Sequence, residues 1–446
     1  MSATAQPSGA PQFDAEVYYN RYLPMGAREV HAVATVTATG AGTGTQGAAP
    51  GTRAAEVILV DTSGSMDFPG SKLKAAKDAT KAAIDTLREG TLFAVVSGTG
   101  MATMVYPETE GLVPLDAHTR REAKRAVDRL RARGGTAIGQ WLLLARRLLE
   151  PYPDAIRHAI LLTDGKDESE TAAALAAAIE SCQGVFTCDC RGVGTDWVVA
   201  ELRTVASGLL GSLAIVAEPH NLVADFTEMM ENAMGKAVAD VALRVRTPGS
   251  ARVKFVKQVR PSIEDLTGRR SDTGPAMGDY PTGAWGDESR DYHVCLEVEP
   301  GDVDDPVRVA LVSLVSRAAD GTETELARTA VFAEWTDNEE LSTKINKEVA
   351  YYTGRAEQAV LIEEGLEAHR NGDETEATAK LGRALSLAEE AGDEVTAKLI
   401  GRVVEVEPVT GTIRIKKKVS IEDAMTLDTE SRVTSRTSRL RAGGTP

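Results

Sequence analysis

Cysteine is scarce in this sequence. Cys182, Cys188, Cys190 and Cys295 are the only four in 446 residues, too few and too irregularly spaced for a disulfide framework, which excludes the stapled secreted scaffolds. Cys188-Asp189-Cys190 lies in a strand-like run whose alternation puts both sulfurs on one face. Small buried thiols on a sheet are preferred there over a two-thiol metal or redox site. Long apolar runs are missing too: no stretch approaches the length that spans a bilayer, and residues 1–7 show no basic region followed by an apolar core. A soluble, cytoplasmic protein with no membrane partner is expected. Positive charge is also short, with 50 Lys and Arg against 66 Asp and Glu, a net charge of −16 and a pI near 5.0. No broad basic field is available to neutralise phosphates, so a nucleic-acid partner is not expected.

What the chain does have is a set of oxygen donors at strand ends. Asp61-Thr62-Ser63-Gly64-Ser65 follows the apolar run Glu56-Val57-Ile58-Leu59-Val60, so a carboxylate and two hydroxyls are delivered together at the end of a buried strand. Gly134-Gly135-Thr136 is a second piece, and Ala159-Ile160-Leu161-Leu162-Thr163-Asp164-Gly165 is a second apolar strand ending in Asp. Asp and Ser after a strand are also ordinary turn and cap residues, but three such segments in order are harder to obtain that way. Soft and imidazole ligands are absent from all three, which favours Mg2+, with Mn2+ or Ca2+ as alternatives, over zinc or copper. A few hydroxyls and two carboxylates leave such an ion electrophilic, with one position open to an outside ligand.

Asp61-x-Ser63-x-Ser65, then Thr136, then Asp164-Gly165, resembles the metal-ion-dependent adhesion site of the von Willebrand factor A domain, with all five positions filled. The resemblance implies that Ser63 and Ser65 bind the metal directly and Thr136 directly or through water. Asp61 and Asp164 would orient coordinating waters, and a partner's Glu or Asp would supply the last ligand. The wider layout is similar to intracellular bacterial members of the family associated with stress or tellurite-resistance gene clusters.

Enzyme readings meet specific gaps. A haloacid-dehalogenase-like phosphatase needs a second carboxylate two residues after its strand-end Asp, where this chain has Ser63. No Gly-x-Ser-x-Gly elbow and no Gly-x-x-x-x-Gly-Lys-Ser/Thr loop is present. Gly42-x-Gly44-x-x-Gly47 formally matches a dinucleotide fingerprint, but Pro50 and a strand follow it where a helix must begin. The six histidines, His31, His118, His158, His220, His293 and His369, are scattered singly, without a pair at zinc-ligand spacing. No catalytic residue is assigned.

The pattern divides the chain into a lead of residues 1–13 read as disordered, strands at 14–38, a Gly/Thr/Ala-rich linker at 39–53 and a strand–helix alternation from 54 to 236. That alternation predicts an α/β fold with a doubly wound, mostly parallel sheet, whose ligand crevice lies at the carboxyl ends of the strands. From 237 to 336 the period falls to two, predicting an antiparallel β-sandwich into which 14–38 would pair, leaving the metal domain as an insertion. Residues 262–290, rich in Gly, Asp, Pro and Ser, read as a long loop. Residues 337–405 predict a helical hairpin, 346–370 and 374–391, followed by a third helix. Residues 406–446 read as a basic, flexible tail in which Thr426, Thr429, Thr434 or Thr437 could carry phosphate for a phosphothreonine-reading partner.

The expected function is a non-enzymatic, metal-dependent protein-binding scaffold. Met66, Asp67, Phe68, Met101 and Lys166 would shape the rim of its site. The alternatives are an accessory subunit of a chelatase or MoxR-type AAA+ ATPase complex, and a cryptic Mg-dependent phosphohydrolase.

Overall fold

The strand Arg53–Asp61 is buried along almost its whole length because it occupies the middle of a parallel sheet, where apolar side chains of both parities are covered. In the computed structural model, which describes residues 11–40, 53–318, 320–406, 413–416 and 418–434, the chain divides into two compact units. The first holds Gly40–Ala239 with Gly283–Gly286. Its sheet runs in the order Leu213–Val216, Thr187–Val193, Ala155–Thr163, Arg53–Asp61, Leu92–Gly98 and Ala102–Tyr106, and Val113–Pro114 pairs with Leu92–Gly98. The strands are parallel as far as Leu92–Gly98, after which Ala102–Tyr106 and Val113–Pro114 return antiparallel.

On one face Ile58, Val60, Val95, Ile160 and Leu162 share a core with Ala76 and Ile84 of helix Ser71–Thr86 and Phe226 and Met230 of helix Leu222–Met234. Helix Ile138–Leu149 packs on Arg53–Asp61 and against helix Ala172–Cys182. The crossover from Arg53–Asp61 leads to one side of the sheet and that from Ala155–Thr163 to the other, although the two strands are neighbours. Their carboxyl ends form the topological switch point.

The second unit collects Pro11–Thr39, Asp240–Thr282 and the chain from Asp287 onward. One sheet runs Gln12–Tyr19, Glu29–Thr39, Glu288–Val298, Ala251–Arg260 and Glu264–Asp265. Glu29–Thr39 is an interior strand, paired antiparallel on both edges. The other sheet runs Ser271–Gly274, Met277–Trp285, Val238–Arg246, Val307–Arg317, Glu323–Thr336 and Tyr22–Pro24, the last two being parallel. The long loop expected at 262–290 is instead largely strand. Its Gly- and Asp-rich composition is overridden by burial of Tyr280 and Trp285, and by Asp279, which accepts from Arg244 at 2.7 and 2.8 Å and from Arg317.

Helices Lys347–Arg370, Glu374–Ala391 and Glu394–Val403 start at the side-chain caps Asn346, Asp373 and Asp393, and Gly392 ends the second in the left-handed conformation. Gly365 lets the first pair close up, since a Cβ there would fall 2.8 Å from Leu381. The flexible tail expected from 406 is corrected in part. Ile413–Ile415 pairs with Val404–Val406, and helix Ile421–Glu430 buries Leu427 in the core formed by Ile362, Leu381 and Ile400. Arg432 pairs with Glu363 at 2.6 Å. Arg432, which read as part of a solvated end, thus meets an acidic residue of helix Lys347–Arg370, while Arg436, Arg439 and Arg441 lie outside the described residues. Thr429 is buried and Thr434 donates to the Val259 carbonyl at 2.6 Å, while Thr437 lies outside the described residues. Among the described residues no helix is long and apolar enough to cross a membrane.

Candidate metal centre

Asp61 ends one strand of the switch point and Asp164 follows the other, so two carboxylates 103 positions apart meet because their strands pair in register. Three loops are stitched together around them by backbone hydrogen bonds: Arg133 N–H to Thr62 C=O at 2.7 Å, Gly64 N–H to Gly134 C=O at 2.9 Å, and Ser169 N–H to Thr136 C=O at 2.9 Å. Trp141 Nε1 donates to Thr99 C=O at 2.6 Å and braces the neighbouring loop from below.

All five anticipated residues converge. Ser63 Oγ lies 2.8 Å from Ser65 Oγ, which donates to Asp164 Oδ1 at 2.7 Å. A Cβ on Gly165 would stand 3.3 Å from both Ser65 Oγ and Thr136 Oγ1 and 3.9 Å from Asp61 Oδ2, so glycine keeps the oxygens free to face one another. Asp61 is fixed by Ser63 N–H on Oδ1 at 2.7 Å and by the Thr163 hydroxyl on Oδ2 at 2.5 Å. Adjacent oxygens around an octahedral Mg2+ with 2.0–2.1 Å bonds are separated by about 2.9 Å. The Ser63–Ser65 and Ser65–Asp164 spacings are close to that edge, so these residues fit a small hard cation.

The electrostatics agree. Burial pushes the Asp61 carboxyl up to about 6 even though Thr163 and Ser63 bond to it, so its negative charge lacks a full counterweight. Sequence reasoning missed the cation that is present. Lys72, buried on helix Ser71–Thr86, donates to Asp164 Oδ2 at 2.7 Å and to Asp196 at 3.0 Å. Burial alone would lower its ammonium, but Asp164 and Asp196 outweigh that and hold it above its ordinary value. Asp61, Asp164 and the more exposed Asp196 thus surround one shared ammonium and leave net negative charge, which a divalent ion would offset.

The rim is partly as expected. Phe68 is 86% and Met101 69% exposed, and Asp67 and Lys166 face solvent. Met66 is wholly buried in the core beneath helix Ser71–Thr86, because the short helix Gly64–Asp67 turns it inward. Three histidines expected to stand singly do not. His158 joins Glu56 and Asp189 in a buried triad, and His31 Nδ1 lies 3.0 Å from His293 Nε2. Cys188 and Cys190 are buried.

Comparison with known proteins places these features in a family. Residues 55–215 match the von Willebrand factor type A domain, and residues 386–431 match the von Willebrand factor type A C-terminal domain. A solved structure of a von Willebrand factor type A protein from Catenulispora acidiphila is 50% identical, covers 97% of this chain and 99% of its own, and superposes with a TM-score of 0.92. The ArnB paralog VWA2 from Sulfolobus acidocaldarius, 14% identical over 96% of this chain and 100% of its own at a TM-score of 0.61, shares the fold. The uncharacterized protein sll0103 of Synechocystis is 27% identical over 215 residues, 47% of this chain, and the chain spans about half the length, 49%, of that curated relative.

Proposed function

Because this chain belongs to the von Willebrand factor type A family, we propose that it is a non-enzymatic, divalent-metal-dependent protein-binding scaffold that captures a partner's Glu or Asp at the strand-end centre. The observation that carries this reading is the convergence of Ser63, Ser65, Thr136, Asp61 and Asp164 into a set of hard oxygens with Mg2+-like spacing. Ser63, Ser65 and Thr136 would hold the ion and the two aspartates would balance it. The ion supplies positive charge in a partly desolvated pocket.

An acidic ligand is favoured because the ion keeps a position open to an outside oxygen donor, and an anionic carboxylate is the strongest such donor a protein partner offers. Lys72 is shared between Asp164 and Asp196 and offsets part of their charge, which leaves the ion more electrophilic. The exposed Phe68 and Met101 offer apolar contact beside the ion, and Lys166 a second cation. Mg2+ is the proposed resident ion, with Mn2+ and Ca2+ as the chemically adjacent choices.

A crosslinked pull-down with and without Mg2+, comparing wild type with Ser63→Ala/Ser65→Ala, tests the reading. Proteins recovered only by the Mg2+-loaded wild type support it. A recovery pattern indifferent to Mg2+ and to both serines contradicts it.

A further inference from the structure

The two-sheet unit holds a cluster of a different chemistry. Glu29 and His31 are two apart on strand Glu29–Thr39, and Cys295 sits opposite His31 in the antiparallel register with Glu288–Val298. Alternation therefore puts Glu29, His31, His293 and Cys295 on one face of the sheet. There a carboxylate oxygen, an imidazole nitrogen and a thiol sulfur all lie within 4.8 Å of one another. His31 Nε2 stands 3.7 Å from Glu29 Oε2 and 3.9 Å from Cys295 Sγ. Tetrahedral zinc, with Zn–S near 2.3 Å and Zn–N or Zn–O near 2.0–2.2 Å, separates neighbouring ligand atoms by about 3.4–3.6 Å. The two edges at His31 are a few tenths of an ångström wider than that, and the third, between Glu29 and Cys295, lies within 4.8 Å, so ligation draws the exposed Glu29 carboxylate inward by side-chain rotation.

We infer that Glu29, His31 and Cys295 form a second cation site, chemically distinct from the strand-end centre, that takes a zinc-class transition metal with His293 orienting the His31 imidazole. The donor set decides the class. Thiolate and imidazole select zinc-like ions, whereas Mg2+ and Ca2+ prefer the all-oxygen centre of the other unit.

The 3.0 Å contact between His31 Nδ1 and His293 Nε2 engages one His31 nitrogen and leaves Nε2 toward Glu29 and Cys295, as the outer partner of a metal-bound histidine does. His293 is itself buried, wedged edge-on against the Phe255 ring with centroids 5.0 Å apart, and its Nδ1 has no hydrogen-bond partner. Lys254 Nζ holds Glu29 Oε1 at 2.5 Å and turns the other oxygen toward His31. The neighbouring Lys257 ammonium is drawn over the Phe255 ring, 5.0 Å from its centroid. Glu29 is exposed and the His31 side chain 31% exposed, so the cluster opens to solvent, from which a water would supply the fourth ligand. Ligation replaces the Cys295 thiol proton, which is released to solvent as the sulfur–metal bond forms.

Cobalt(II) titration of the full chain, stripped with chelator and carrying Ser63→Ala/Ser65→Ala to silence the other centre, reads this site by its thiolate-to-cobalt charge-transfer absorption. The expected result is one equivalent of Co2+ with that band, displaced by Zn2+. Cys295→Ser should abolish the band, His31→Gln should weaken binding at least about tenfold, and His293→Gln should weaken it about 10–100-fold. Thermal melts establish that each variant is folded. If Cys295→Ser fails to fold, His31→Gln, at a partly exposed position, carries the test. Absence of a thiolate band in the parent would overturn the assignment, as would a band surviving Cys295→Ser, which would move the ligand to Cys182, Cys188 or Cys190.

Discussion

Replacing His158 with Leu should destabilise the metal-bearing unit more than any change at its rim. His158 Nδ1 lies 2.9 and 3.0 Å from the two Glu56 oxygens and Nε2 lies 3.0 Å from Asp189, with Glu56 fully buried on the central strand. Burial alone would depress the imidazolium, but Glu56 and Asp189 overcome it and push His158 up to about 10. Asp189 resists burial through His158 and Arg191 and is held below the usual carboxylate range. Burial pushes the Glu56 carboxyl up against the opposing pull of His158, so without the imidazole Glu56 either stays charged and unpaired or takes up a proton, and the cost reaches at most roughly 3–5 kcal/mol. At about 2–4 °C per kcal/mol for a unit of this size, the melt should fall by at most roughly 6–20 °C at pH 6.

The sign with pH follows from linkage. A folded value near 10 lies above the unfolded value of about 6.5, so the stabilisation is complete below pH 6.5 and is lost as pH rises toward 10. Melts of wild type and His158→Leu should therefore converge as pH approaches 10. Glu56→Leu added to His158→Leu should recover much of the loss, since Asp189 keeps its bonds from Ser212 N–H and Oγ at 2.6 and 2.7 Å. A single variant costing under about 1 kcal/mol, or a wild-type–variant gap that stays constant from pH 6 to 10, would refute the reasoning.

Ser63→Ala and Ser65→Ala open no large apolar cavity, so urea unfolding should show each costing about 0.5–2 kcal/mol; a larger loss would make the site part of the folding core. Gly98→Ala places a Cβ 2.4 Å from the buried Trp141 ring and should cost roughly 1–3 kcal/mol by overpacking, with the Trp141 fluorescence maximum shifting; wild-type stability would mean the ring yields freely. A chain beginning at Arg53 loses the interior strand Glu29–Thr39 and bares the edge of Glu288–Val298, so it should aggregate or melt earlier, and a soluble monomer as stable as the full chain would contradict that.

The strand-end oxygens were legible because each is set by local pattern: an apolar run, then Asp, then short polar residues. The groups that tune them were not. Lys72 carries no signal of burial in a Lys-rich helix start, and its partner Asp164 is 92 positions away. His31 and His293 are 262 apart, and only a strand register brings them together. The hairpin of Ser271–Gly274 and Met277–Trp285 hid behind Gly and Pro because the buried Asp279–Arg244 pair and Trp285 settle its structure through distant neighbours. The end of the chain misled for a related reason, as net positive charge reads as solvation until the acidic Glu363 that receives Arg432 is placed opposite.

Partner capture that needs metal while folding does not is the central claim, and titration calorimetry on a partner recovered in Mg2+ measures it most directly. Affinity should fall by orders of magnitude in EDTA and in Ser63→Ala or Ser65→Ala, roughly tenfold for each 1.4 kcal/mol of lost contact, while melts of the same samples stay close to wild type. Unchanged affinity in EDTA and in both serine variants would contradict it, and would move recognition away from the strand-end centre to the helices between Lys347 and Val403.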